Sequence, residues 1–326
     1  MSKVDLSVVI PAYDEKESIS PLYDLIKENL DGKGIVYEII IVDDGSSDGT
    51  WGEISRIAKK SNCVYPIKMS KNYGKSDALD AGFKASSGDY ILTMDADLQD
   101  DPQEIYPLYQ MVKDQKFDLV SGWKRKRNDP LSKTIPSKFF NMVTRIFSGI
   151  KLNDFNCGIK IYKKEVINSI NLYGEMHRYI PLIAKWNGYN NIGEKVVNHN
   201  KRKFGKTKFG MERFIRGFLD LLSVSFVYRF RKRPMHFFGF FGVLFFLIGF
   251  ISVGWIVYEK ISKISENIPL ELIRPVTDQP LFYIALVSII IGVQLFLVGF
   301  LSELVIQINS DRKGYKIERS GDDKKS

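Results

Sequence analysis

The sequence predicts an α/β chain: a Rossmann-like, mostly parallel sheet with helices on both faces, followed by a C-terminal two-helix transmembrane region. Three observations predict it. Apolar, β-rich runs alternate with helical patterns over the first 230 residues. A polar loop follows each of the first four runs. Two later stretches, 237–258 and 281–302, contain 22 residues each and no charge.

Taken in order, strands are expected at 6–10, 38–42, 64–68, 90–94 and 118–121. Helices are expected between most of them, near 17–30, 50–60, 75–85 and 102–113. The strand runs are apolar almost throughout, as parallel strands covered on both faces must be. Each uncharged stretch extends about 33 Å as a helix at 1.5 Å per residue, enough for a hydrocarbon core of about 30 Å. Arg229, Arg231, Lys232 and Arg233 precede the first span. Arg312, Lys313, Lys316, Arg319, Lys324 and Lys325 follow the second. The loop at 259–280 carries Lys260, Lys263 and Arg274 against four acids. The positive-inside rule therefore places the domain and both termini in the cytoplasm of a plasma-membrane protein. The expected organisation is a cytoplasmic domain at 1–210, an interfacial juxtamembrane helix at 211–234, two spans with a short outer loop at 235–306, and a basic tail at 307–326. A further amphipathic stretch, with Phe139, Phe140, Met142, Val143, Ile146 and Phe147 beside Lys138 and Arg145, suits either the same interface or ordinary packing against the sheet.

Composition narrows the function classes. Lys and Arg number 47 against 38 Asp and Glu, a net charge of +9, which suggests an anionic partner. Two spans and acidic loops make nucleic acid a poor candidate. Cys63 and Cys157 form neither a disulfide framework nor a zinc ribbon. The three histidines are scattered. The N-terminus has only a five-residue apolar run before Pro11 and does not read as a signal peptide. No GxGxxG follows the first strand, and neither GxSxG nor HExxH occurs. Gly205-Lys206-Thr207 resembles the end of a phosphate loop, but Asn200 stands where its first glycine should be.

The polar residues gather where the strands end: Pro11 to Glu15, Asp43 to Gly49, Lys71 to Asp77, and Asp95 to Asp101. In an open parallel sheet these carboxyl ends line one crevice, where ligands bind. Any one loop is also readable as an ordinary turn or helix cap, and Ser46–Asp48 suits an N-cap. The sharpest element is Asp95-x-Asp97 directly after an apolar strand. Two carboxylates at i and i+2, with Gln99 as a further oxygen donor, suit Mg²⁺ or Mn²⁺ whose remaining positions are filled by phosphate. Lys201, Arg202, Lys203, Lys206, Lys208 and Arg213 form a basic loop that suits phosphates at a membrane surface.

VVIPAYDE, IIIVDDGSSDGT and MDADLQDDP resemble the family 2 glycosyltransferases of the GT-A fold. Asp154-x-x-Cys157-Gly158-x-Lys160, Arg202-x-x-Gly205-x-x-Lys208 and the two spans resemble its dolichol-phosphate mannose synthase and bactoprenol-phosphate glycosyltransferase branch. The resemblance implies inverting transfer of one sugar from a UDP- or GDP-linked donor, UDP-glucose favoured, to a polyprenyl phosphate. It implies that Pro11, Tyr13, Glu15, Asp43 and Asp44 bind the nucleoside, with Lys75 among the nucleotide ligands. Asp95, Asp97 and Gln99 hold the metal, and Asp154 with Asp97 forms the catalytic pair. Arg202 and Lys208 face phosphate. Lys124, Ser137 and Lys138 stand where relatives often carry Gly-Ser-Arg and Ser-Arg stretches, which fits an acceptor-phosphate clamp less closely. His177-Arg178 resembles a position near the acceptor. Homo-oligomerisation, a downstream flippase and an outer-face glycosyltransferase are implied only by the family. Two alternatives stand beside this reading: a processive polysaccharide synthase, which lacks its Gln-x-x-Arg-Trp string here, and an inactive membrane scaffold that senses nucleotide sugar.

Overall fold

The computed structural model describes residues 3–125, 141–146, 148–172, 174–201, 226, 233–269 and 272–308. They belong to two compact units, the first reaching Ser225 and the second beginning at Phe226.

In the first unit the elements are β1 (Leu6–Ala12), α1 (Lys16–Leu30), β2 (Tyr37–Asp43), α2 (Thr50–Ala58), β3 (Val64–Lys68) and α3 (Lys75–Ala85). There follow β4 (Tyr90–Thr93), a 3₁₀ turn (Pro102–Glu104) leading into α4 (Ile105–Asp114), and β5 (Leu119–Trp123). β6 (Lys160–Lys163), α5 (Lys164–Asn168), α6 (Ile180–Trp186) and β7 (Ile192–Val196) complete it. The seven strands form one mixed sheet in the order β3-β2-β1-β4-β6-β5-β7. β1, β2, β3 and β4 run parallel. β6 is inserted antiparallel between β4 and β5, and β7 pairs parallel with β5. The five expected strands and four expected helices are all present within a few residues.

Strand alternation assigns the two faces. Leu6, Val8, Ile10 and Ala12 of β1 join Ile19, Leu22 and Ile26 of α1 and Ile105, Leu108 and Val112 of α4 in one buried cluster. On the other face α3 lies so close that a Cβ on Gly82 would stand 2.3 Å from Cγ1 of Val9. Burying residues such as Ile10 or Leu22 is worth about 1.5–3 kcal/mol each, and this fixes the sheet beneath the loops.

The second unit is a helix hairpin, α7 (Pro234–Ser265) and α8 (Pro280–Ile308). Both helices are long and apolar enough to cross a membrane, and only 22 % of the most apolar window of each is buried in the protein. The rest is exposed hydrocarbon, including Phe250, Ile251 and Leu297, which water would not tolerate at this extent. Small residues let the helices approach: a Cβ on Gly292 would lie 3.0 Å from the Gly242 carbonyl oxygen, and one on Gly249 would lie 2.5 Å from Ile289. The expected juxtamembrane helix, residues 211–234, lies almost entirely outside the described residues, as does the basic tail.

Candidate active site

The first three polar loops are stitched to one another by hydrogen bonds. Asp14, at φ 49°, donates its N–H to Ser46 Oγ and accepts the Ser47 N–H at 2.9 Å each. Glu15 N–H donates to Thr50 Oγ1 at 2.9 Å, and Lys16 N–H to Asp48 Oδ2 at 3.1 Å. Asp48 also accepts the Thr50 N–H, but the residue that caps α2 is Gly49, without a side-chain bond, so the expected N-cap at Ser46–Asp48 falls one residue early. Asp44 accepts the N–H groups of Tyr73 and Gly74 at 2.8 and 2.9 Å, drawing the β3–α3 loop onto the β2 end. Burial raises its carboxyl above the ordinary value in spite of those two bonds. Gly45, at φ +71°, permits this closeness; a Cβ there would stand 2.4 Å from the Lys71 carbonyl carbon.

Of the expected nucleoside ligands, Pro11 lies in β1 and Tyr13 is exposed just beyond it. Asp43 is fully buried; its Oδ1 accepts the Ser46 N–H, and its Oδ2 meets no hydrogen-bond partner among the described residues. These residues share one edge of the sheet with Glu15 and Asp44.

Asp95 lies just beyond the β4 end, with its side chain 31 % exposed, and forms an ion pair with Lys75 at the start of α3. Burial alone would raise the Asp95 carboxyl, but Lys75, Lys124 and Lys160 hold it well below the usual carboxylate range. The chain then turns sharply: Asp97 accepts the Gln99 N–H at 3.1 Å, and Leu98 sits at φ 60°. Among the described residues no three His, Cys, Asp or Glu side chains converge on a metal position. Two carboxylates two residues apart in the chain are oxygen donors of the kind a hard cation such as Mg²⁺ or Mn²⁺ takes, with most positions left to phosphate oxygens and water.

Segment 154–160 is brought against this loop from far along the chain. A Cβ on Gly158 would stand 2.6 Å from both Asp95 Oδ2 and Asp100 Oδ2. Asp154 is 1 % exposed and accepts the Asn156 N–H at 3.1 Å. Its own N–H, with that of Asn153, donates to Glu194 on β7. Burial raises the Glu194 carboxyl, against these bonds. Lys124 was expected at a phosphate, and in the structure it meets a carboxylate. Its ammonium is buried on Asp100 at 2.7 Å. Burial would lower its pKa, but Asp100, Cys157 and Asp95 hold it well above the ordinary lysine value.

The fourth loop also anchors the incoming basic segment. Asn200 N–H donates to the Gln99 carbonyl at 2.9 Å, and Asp100 bridges His199. The basic loop thus starts beside the Asp95–Asp101 turn, at Lys201. Arg202, Lys208, Ser137 and Lys138 lie outside the described residues.

Asp100 and Lys160 carried no expected role, and Arg178 was expected only through the resemblance of His177-Arg178 to a position near the acceptor. The paired acids of the fourth loop and the Lys160 of the 154–160 string signalled the first two.

Residues 7–170 match the profile of Glycosyl transferase family 2. The chain is 32 % identical to the dodecaprenyl-phosphate galacturonate synthase of Rhizobium johnstonii, over 94 % of this chain and 88 % of that protein. It is 30 % identical to the undecaprenyl-phosphate 4-deoxy-4-formamido-L-arabinose transferase of Shewanella sediminis, with the same two coverages. Among solved structures, glucosyl-3-phosphoglycerate synthase from Mycobacterium tuberculosis, in complex with UDP, superposes with a TM-score of 0.53 at 22 % identity. That match covers 68 % of this chain and 80 % of the other. Mannosyl-3-phosphoglycerate synthase from Rubrobacter xylanophilus gives 0.57 at 17 % identity, covering 70 % and 74 %. The mixed sheet is of the GT-A type.

Proposed function

Because the chain belongs to the family 2 glycosyltransferases, we propose that it transfers one sugar from a nucleotide-sugar donor to a polyprenyl phosphate, with inversion at the anomeric carbon. The observation that carries this reading is the convergence of Lys75, Asp95 and the Asp154–Lys160 segment at the carboxyl end of β4. The relatives named above, matched over most of their length, supply the acceptor class. Asp95 and Asp97, with Gln99, are the residues that would hold Mg²⁺ or Mn²⁺, whose charge neutralises the departing diphosphate. The stitched loops carrying Pro11, Tyr13, Glu15, Asp43 and Asp44 bind the nucleoside.

The acceptor's phosphate oxygen attacks the anomeric carbon; the C–O bond to the donor diphosphate breaks, and the nucleoside diphosphate leaves with that electron pair. A phosphate monoester has a second pKa of about 6, so the attacking oxygen already carries its charge at neutral pH. A general base is therefore dispensable. Asp154, buried and held through Glu194, positions the segment beneath the acceptor. Arg202 and Lys208 are the residues of the basic stretch that this reading assigns to the phosphates.

The helix at 141–146 supports a seat at the lipid surface. It buries Asn141 and Thr144 and turns Met142 and Ile146 outward, the reverse of an ordinary surface helix. The distribution of Lys and Arg supports a cytoplasmic domain and termini.

Purified full-length protein with Mn²⁺, labelled nucleotide sugars and polyprenyl phosphate should give a lipid-soluble, single-sugar product, abolished by Asp97→Asn. A long polymer would support a processive synthase. No product with any donor, from folded protein, would support a sensing scaffold. Asp154→Asn should lower turnover without creating a new pH dependence; recovery of activity at high pH would make Asp154 the base.

A further inference from the structure

The helix at 141–146 and the segment that carries Asp154 are bonded to each other. Asn141 Oδ1 accepts the Phe155 N–H at 3.3 Å. Arg145 donates Nε to the Leu152 carbonyl and Nη2 to Asn153 Oδ1, at 3.1 Å each. On β7, Glu194 accepts the N–H groups of Asn153 and Asp154 at 2.6 and 3.0 Å, and Asn153 Nδ2 at 2.7 Å. Lys185 of α6 donates to the Ser148 and Gly149 carbonyls at 3.0 Å each, which fastens the chain just beyond the helix to the domain. A shift of the helix is therefore also a shift of residues 152–155.

The outward face of this helix is apolar. Met142 is 49 % and Ile146 72 % exposed, one turn apart, while Asn141 and Thr144 are buried. Residues 141–151 contain two cations, Arg145 and Lys151, and no acid. Exposed hydrocarbon beside positive charge suits the boundary between acyl chains and phosphate headgroups. We propose that Arg145, with Asn141, registers the Asp154 segment to the headgroup layer in which this helix sits, so that docking on the bilayer sets the height of the site. The inference rests on the proposed function, in which the attacking oxygen is held at the bilayer surface and Asp154 has to meet it there. Misplacement near 1 Å in such a meeting costs about 100-fold in rate, so the bonds from the lipid-facing helix to residues 152–155 bear directly on turnover. Arg145 and Asn141 act through that segment and are positioning residues.

The test uses the full chain in nanodiscs of phosphatidylglycerol and phosphatidylethanolamine in equal parts. A nitroxide on Met142→Cys, in a Cys63→Ser background that leaves only buried Cys157, should be reached by oxygen and shielded from a water-soluble nickel chelate. Met142→Gln with Ile146→Gln, both at exposed positions, should raise the KM for embedded polyprenyl phosphate about tenfold or more, and leave Tm and the KM for the nucleotide sugar unchanged. Arg145→Ala should raise the same KM about three- to tenfold while the nitroxide stays immersed, and Arg145→Lys should recover part of it. Adding Arg145→Ala to the double variant should cost little more, because both changes act on one path. A nitroxide open to the nickel chelate overturns the inference, as does an unaltered KM in the double variant. So does dipolar broadening between labels, which would assign the face to a second copy of the chain. An Arg145→Ala variant that lowers kcat and Tm with the KM unchanged also overturns it, since that is the result of a merely structural bond. If these results go against the inference while the unmodified protein still makes lipid-linked sugar, the proposed function stands. If it makes none from any donor, the proposed function fails as well.

Discussion

Gly158→Ala gives the sharpest test of the site's architecture. The added methyl would stand 2.6 Å from Asp95 Oδ2, 2.6 Å from Asp100 Oδ2 and 2.8 Å from Asp95 Cγ. That is 0.4 Å inside the 3.0 Å at which real Cβ contacts essentially stop. Asp100 is held by buried Lys124 at 2.7 Å, so the more exposed Asp95 is the group that must give. The φ of Gly158 lies outside the left-handed region, so alanine meets only the steric cost. Overpacking of this kind costs about 1–3 kcal/mol. For a domain of this size it lowers Tm by about 2–4 °C per kcal/mol. A shift of Asp95 by a few tenths of an ångström should lower turnover about 3- to 10-fold, because misplacement near 1 Å costs about 100-fold. The Mn²⁺ concentration for half-maximal rate should rise with it. Gly52→Ala is the matched control: exposed in α2 with nothing within 4 Å of its new methyl, it should be neutral or slightly stabilising. Thermal melts and glycolipid assays over a Mn²⁺ series read both variants. Unaltered turnover and metal dependence in Gly158→Ala would refute the placement of Asp95 in the site.

Lys124→Met leaves Asp100 buried and unpaired, and should destabilise the domain by about 3–5 kcal/mol in chemical denaturation. Adding Asp100→Asn should recover part of that loss, the coupling expected of a direct pair. Burial pushes the Cys157 thiol up to about 12, so at pH 8 only about one in ten thousand is thiolate. A thiol reagent should therefore modify partly exposed Cys63 in the native protein, and both cysteines only after unfolding. A Thr277→Cys variant, in the turn between α7 and α8, should react with a membrane-impermeant maleimide in intact cells, whereas Cys63 should react only after permeabilisation. The reverse pattern would invert the proposed topology.

The GT-A order was legible where its causes are local. β1, β2 and β4 are short apolar runs, and α1 to α4 carry helical periodicity between them, so neighbouring residues alone announce them. The antiparallel insertion of β6 was not legible. Lys160–Lys163 is four residues long, ends in lysines, and pairs with strands dozens of residues away in the chain. β7 is likewise short and half polar.

The site divides in the same way. The acidic string Asp95–Asp101 and the polar loops at the strand ends could be read directly, because their chemistry is carried by adjacent residues. Whether Lys124 meets an acceptor phosphate or lies buried on Asp100 could not, since the answer depends on which charge is desolvated beside it. Sequence by itself determined the apolar spans, the parallel half of the sheet and the inventory of carboxylates and cations. Only tertiary structure decided that Gly158 closes on Asp95 and that Arg178 lines a cavity beside Lys75. The physical reason is range: backbone preference and hydrophobic period act over a few residues, whereas burial and ion pairing join groups that the chain alone keeps far apart.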